Sequence, residues 1–152
     1  MGFNGTTGWT QTPESGWREV SGPELAQRKL DAEFYSELKL KERYPKMRVL
    51  GAAKLSDREA EVIEATPAEG NPERLYFDTQ TGLLIRQDLV IEGPQGKTAI
   101  RIYFEDYRAV DGIKHPFAIR RSRPGFTWTY KFEEIRHNVM VDEAKFDKPA
   151  AP

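Results

Sequence analysis

The sequence predicts an α+β fold: a curved antiparallel β-sheet of seven to nine strands in meander order, with one main helix on its concave face. Three observations carry this reading. One stretch near residues 22–42 has helical apolar spacing, and from Met47 onward the apolar period changes to two. The connections between the later segments are also too short for parallel neighbours, which need a crossover of about a dozen residues or more.

The opening 20 residues hold Gly2, Gly5, Gly8 and Gly16 with Phe3, Trp9 and Trp17 between them, a turn-rich stretch that predicts short strands in a hairpin. Ser21 followed by Glu24 fits a capping box, and Pro23 is tolerated in a first helical turn, so the helix is expected to start near Ser21. Ala26, Leu30, Phe34 and Leu38 recur every fourth residue, while Arg28, Lys29, Glu33, Glu37 and Lys41 fall mostly elsewhere. One apolar stripe therefore faces a core, and Pro45 ends the helix.

Strands are predicted at 47–55, 58–66, 73–78, 83–92, 97–109, 113–122 and 125–138. Between them lie Ser56-Asp57, Gly70-Asn71 within 67–72, Thr79 to Gly82, Gly93-Pro94-Gln95-Gly96, Asp111-Gly112 and Arg123-Pro124-Gly125. Asp111-Gly112 is the clearest hairpin signal, because a type I′ turn needs positive φ at both central positions.

The chain has 152 residues, 38% of them hydrophobic, and one domain over 1–152 is expected. The absence of cysteine excludes thiol nucleophiles, Cys-ligated zinc and iron–sulfur clusters. With 23 basic and 24 acidic residues there is no surplus charge for nucleic acid, so no nucleic-acid partner is expected even though Arg120, Arg121 and Arg123 cluster beside an aromatic strand. Those arginines are expected at an exposed edge. No apolar run approaches a membrane span, and Met1-Gly2-Phe3-Asn4 does not begin a signal peptide.

In the last strand Phe126, Trp128, Tyr130 and Phe132 alternate with Thr127, Thr129, Lys131 and Glu133. Ile100, Ile102 and Phe104 do the same two strands earlier, and Ile113, Phe117 and Ile119 extend the pattern between them. The sheet is thus expected to have one apolar and one wet face. A single helix stripe covers part of such a face; the remainder requires barrel closure, a dimer partner or an apolar ligand.

Several strings carry a family resemblance: Asn4-Gly5 to Trp9, Leu75-Tyr76-Phe77-Asp78, Thr81-Gly82-Leu83-Leu84-Ile85-Arg86, Asp106-Tyr107-Arg108, Val110-Asp111-Gly112-Ile113, His115-Pro116-Phe117 and Phe146-Asp147-Lys148-Pro149. They resemble the C-terminal portion of bacterial extracytoplasmic proteins related to the lipoprotein-sorting carriers (LolA/LolB-like). The resemblance extends this shape to an incomplete antiparallel half-barrel whose concave apolar face holds a helix and, in the carriers, lipid acyl chains. It also implies a periplasmic or cell-envelope location. Strands expected ahead of Gly2 are missing, so the chain is expected to be a piece of a longer secreted polypeptide, with an unpaired sheet edge that invites homodimerisation.

His115 and His137 lie 22 positions apart without a metal-ligand spacing, and no metal site or cofactor is expected. Asp106 and Arg108 share a strand face as a surface ion pair, with Tyr107 pointing the other way. No nucleophile elbow, phosphate loop or dinucleotide fingerprint occurs, so the chain is expected not to be an enzyme. The expected function is a non-catalytic binding domain that holds a lipid, a lipoprotein acyl chain or another hydrophobic group between sheet and helix. Its expected lining is Phe34, Leu38, Ile100, Ile102, Phe104, Trp128 and Tyr130. The alternative is a structural or interaction module of a larger envelope protein with a filled core.

Overall fold

In the computed structural model the described residues are 2–12, 16–22, 24–25, 29, 32, 39–68, 70–93 and 96–147. They fall into two compact units, Met1–Lys39 with Asn138–Pro152, and Leu40–His137.

In the first unit the glycine-rich opening forms a three-stranded sheet of β1 (Gly2–Phe3), β2 (Gly8–Thr12) and β3 (Gly16–Val20), in that order. The β1–β2 turn is closed by Asn4, whose Oδ1 accepts the Thr6 and Thr7 amides at 3.1 and 2.8 Å. Trp9 and Val20 are buried. Most of the expected helix, Phe34 and Leu38 included, lies outside the described residues. At its start the Leu25 amide donates to Ser21 O at 3.5 Å, one helical turn, and Glu24 pairs with Arg18 at 2.9 Å. A short 3-10 helix, Glu143–Phe146, is capped by Asp142, which accepts the Ala144 amide at 3.0 Å.

The second unit begins with α1 (Leu40–Arg43), closed by Tyr44 N–H on Leu40 O at 2.8 Å and ended by Pro45 as expected. Seven strands follow: β4 (Lys46–Leu55), β5 (Arg58–Thr66), β6 (Glu73–Asp78), β7 (Leu84–Gly93), β8 (Gly96–Val110), β9 (Ile113–Arg123) and β10 (Phe126–Lys131). They pair in sequence order, all antiparallel, from β4 at one edge to β10 at the other, so the sheet is an open meander. Six strands match the sequence expectation to within one residue. The last is shorter than 125–138: after Phe132 N–H bonds Phe117 O at 2.9 Å, apolar alternation gives way to Glu133 and Glu134, and Glu134 turns to Arg136 at 2.6 Å.

Turn chemistry fixes the register. Asp111 and Gly112 have φ of 49° and 81°, the left-handed pair that a type I′ hairpin needs, and β8 and β9 then pair from Val110↔Ile113 onward. Between β6 and β7 the buried Asp78 carboxylate accepts the Gln80 amide (3.2 Å), the Thr81 amide (2.8 Å) and the Thr81 hydroxyl (2.7 Å). The Thr81 hydroxyl and amide hold this carboxyl below its ordinary value, and Arg58 at 3.6 Å acts in the same direction.

Two apolar clusters lie on opposite faces of the central strands. Ala60, Val62, Tyr76 and Ile85 form one, and Tyr44, Ala65 and Leu75 form the other with Leu40, Phe77 and Leu84 against it. The expectation of one apolar and one wet face is therefore corrected at β5–β7. Continuous runs such as Leu75-Tyr76-Phe77 place bulk on both sides of a strand, because neighbours alternate. A bulge at Ile85 adds to the first cluster: Tyr76 pairs with Arg86 and Phe77 with Leu84, which leaves Ile85 unpaired in the ladder and buried. Tyr44 donates its hydroxyl to Glu73 at 2.6 Å, and burial together with that carboxylate raises its phenol above the ordinary value.

Candidate functional site

Register places the expected sheet residues on a common face. Phe104 pairs with Ile119, which pairs with Tyr130; in the next row Ile102 pairs with Arg121, which pairs with Trp128; Ile100 lies two residues along the same strand from Ile102. Directly opposed residues point to the same side of a sheet, so Ile100, Ile102, Phe104, Trp128 and Tyr130 are brought together. Phe34 and Leu38 lie outside the described residues.

Exposure is graded across this face. Ile102 and Phe117 are buried, whereas Phe104 and Trp128 are half-buried, and Phe126, Tyr130 and Phe132 are 55%, 49% and 42% exposed. The apolar alternation of the last strand was expected to reach a covered surface; the structure leaves three of its four rings in solvent. Phe126 and Trp128 stand 5.4 Å apart between ring centroids, tilted by 39°. Ile91 and Ile113 are also exposed.

The opposite face carries a feature that alternation could not reveal. Val62, Tyr76, Arg86, Tyr103, Arg120 and Thr129 are paired successively across six strands. The Arg86 guanidinium stands 4.6 Å from the Tyr76 ring centroid and 5.7 Å from that of Tyr103, and Arg120 lies 3.8 Å over the other flank of the row at Tyr103. Asp88 takes Arg86 through two bonds of 2.7 and 2.5 Å, and Glu105 takes Arg120 at 3.2 and 2.7 Å. These carboxylates raise both guanidinium groups further above their ordinary value, against burial. An open recess of about 610 Å³ lies here, lined by Arg58, Ile85, Arg86, Tyr103, Glu105 and Arg120 among others. Of the expected lining residues, Phe104 borders it. Each recess cation named in the row is already matched by a carboxylate, so the row is a stacked, neutralised ladder rather than a charged trap.

Arg120 thus corrects one expectation: it lies on β9, an interior strand, because β10 pairs outside it. Arg123 is 5.5 Å from the Phe126 ring centroid. Asp106 and Arg108 form the expected exposed ion pair, through two bonds of 3.0 and 2.6 Å, and Tyr107 instead donates to Leu84 O at 2.6 Å. His115 and His137 are brought together, which their spacing did not foretell: their Nε2 atoms are 2.9 Å apart. Among the described residues no helix is long and apolar enough to cross a membrane.

No protein-family model and no curated protein matches this chain. Among solved structures it is similar to a DUF1329 family protein from Desulfovibrio piger, with a TM-score of 0.63 and 19% identity over 91% of this chain and 62% of that one. It is also similar to a LolA superfamily protein from Nitrosomonas europaea, with a TM-score of 0.50 and 12% identity over 93% of this chain and 66% of that one. The chain spans less than two thirds of the first structure's length, and its fold is LolA/LolB-like.

Proposed function

We propose that this chain is a non-catalytic, extracytoplasmic binding domain that holds a lipid acyl chain or another hydrophobic group on the sheet face of Ile102, Phe104, Trp128 and Tyr130. The observation that carries the proposal is the gradient on that face, from buried Ile102 and Phe117 to half-exposed Phe126, Tyr130 and Phe132. Rings aligned on a rigid antiparallel ladder and left in contact with water form a surface that gains from apolar cover. The LolA/LolB-like fold supports this reading. The charged recess on the other face has no such character, since Arg86 and Arg120 are paired with carboxylates and stacked on tyrosine rings.

Native and denaturing mass spectrometry of the gently purified protein tests the proposal. A lipid-sized mass that is present in the native spectrum and lost on denaturation is the expected result. A bare protein that also fails to shift the emission of a dansyl-labelled fatty acid overturns it. A dimer mass under those conditions favours the interaction module, for which the edge strand β4, with Met47, Val49 and Leu50 exposed, is the docking element.

A further inference from the structure

We propose that His115 and His137 form a site for a divalent transition cation of the zinc class at the end of the β8–β9 hairpin. The Nε2 atoms of the two rings are 2.9 Å apart, with ring centroids at 4.9 Å and planes tilted by 56°. Two imidazole nitrogens bound to one zinc at about 2.0–2.1 Å stand about 2.9 Å apart at a right angle and about 3.3 Å apart at the tetrahedral angle. The observed separation is at the short end of that interval, so a cation enters with a small opening of the pair and no rearrangement of the strands.

The second ring nitrogen of His137 supplies an independent constraint. Its Nδ1 lies 3.1 Å from Asp111 Oδ2, on the hairpin turn. A carboxylate accepting at Nδ1 fixes the proton there and leaves Nε2 with its lone pair, the carboxylate–histidine arrangement that orients metal-binding imidazoles. In the metal-free pair the bridging proton is therefore on His115 Nε2 and is donated to His137. When the cation binds, that proton moves to His115 Nδ1 and the two Nε2 lone pairs face the metal. The nearby cation Arg108, which is paired with His115 across the ladder, is itself engaged: its guanidinium holds Asp106 and lies 4.6 Å from the Phe117 ring centroid.

Among the described residues no three His, Cys, Asp or Glu side chains converge as a ligand set. The two imidazoles are accordingly the described contribution of the protein, and water completes the coordination shell. Imidazole donors select zinc, copper or nickel over magnesium and calcium, which prefer oxygen.

Titration of the full chain, without a polyhistidine tag, with zinc chloride at about pH 7.5 tests the site by calorimetry and by imidazole proton–nitrogen correlation spectra. Saturable one-to-one binding is expected, with both Nε2 resonances shifted and His115 converted to its Nδ1–H tautomer. His137→Ala and His115→Gln should each abolish that saturable binding, and Asp111→Asn should weaken it about 10- to 100-fold. Unchanged zinc affinity in both histidine variants overturns the proposal. If a variant does not fold, the spectra of the unmutated chain decide: Nε2 resonances that remain in place up to about 1 mM zinc overturn it, since that limit marks affinity of negligible worth.

Discussion

Replacing Trp128 by alanine separates a ligand-bearing face from a packed core, because the two assign opposite sizes to its stability and binding effects. A large aromatic truncated in a closed core costs about 3–5 kcal/mol. Trp128 stands on the edge strand β10, half-buried, with Phe126 at 5.4 Å as its aromatic neighbour and Arg121 opposite it in the ladder. The aromatic pair contributes about 0.5–1.5 kcal/mol beyond the area it covers, and with only part of the ring enclosed the expected destabilisation is about half the closed-core cost, roughly 1.5–2.5 kcal/mol. For binding, an acyl chain laid over this ring covers about 100 Å² of it, roughly half of the indole surface. At about 25 cal/mol per Å² this area contributes about 2.5 kcal/mol, an affinity loss of about 70-fold. Urea denaturation and titration with a dansyl-labelled fatty acid read the two numbers on the same preparation. A loss of 3 kcal/mol or more in stability, with probe affinity unchanged, refutes the reasoning.

Other substitutions probe the scaffold beneath that face. Leu75→Ala empties a side chain that is 2% exposed and packed with Tyr44 and Ala65, and should lower the unfolding free energy by roughly 3–4 kcal/mol in urea denaturation. Gly112→Ala meets nothing within 4 Å but keeps a left-handed backbone at φ of 81°, so a loss of roughly 1–2 kcal/mol measured by thermal unfolding would be purely conformational. Asp78 has a folded pKa held below the ordinary 3.8, so its charge stabilises the fold above that value and the contribution disappears as pH falls through the depressed one. The stability gap between the native protein and Asp78→Asn should therefore be widest near neutrality and close in acid below about pH 4, when unfolding is followed against pH. Tyr44 runs the other way: its phenol is raised in the fold, so stability present below pH 10 should decline as pH climbs above it, and Tyr44→Phe should lack that alkaline decline.

The strands were legible in the sequence because each is bounded by chemistry that acts locally. Asp111-Gly112 and the Asp78–Gly82 turn fix where chains reverse, and period-two alternation fills the spans between them. The register within β8, β9 and β10 follows from Asp111-Gly112 and from the Pro124-Gly125 turn that closes the Arg123↔Phe126 pair, which is why Ile102, Phe104, Trp128 and Tyr130 could be placed on one face from the sequence. Exposure was not legible, since alternation states which side a ring faces and not whether anything covers it. Phe126 and Phe132 obey the pattern and still meet solvent. The two-sided core at Leu75-Tyr76-Phe77 was also hidden, because a short apolar run reads the same whether one face or both are buried.

The features that sequence reasoning missed share one cause: each is made by residues adjacent across strands rather than along them. Arg86, Tyr103 and Arg120 occupy positions where alternation calls for polar side chains, and nothing in their spacing states that they stack as a row. His115 and His137 meet only because Asp111-Gly112 reverses the chain, and the segment after β10 returns to that same hairpin end. The consequence is a division of labour in the Leu40–His137 sheet. The face with Trp128 carries graded, partly wet apolar side chains with Arg121 between Ile102 and Trp128, and its rings supply the apolar surface that the acyl-chain proposal requires. On the other face Arg86 and Arg120 are neutralised by Asp88 and Glu105, the property expected of a row that fixes strand register instead of capturing an anion. Arg120→Leu distinguishes these roles, because it removes the stack on Tyr103 and strands Glu105 while leaving the apolar face untouched. It should lower stability in urea denaturation by about 1 kcal/mol, as an exposed cation–π contact with a partly screened ion pair does. Fatty-acid affinity should stay within a factor of about two, a change of less than half a kcal/mol. A tenfold loss of probe binding in this variant would place the ligand in the charged recess and remove the basis for assigning it to Trp128.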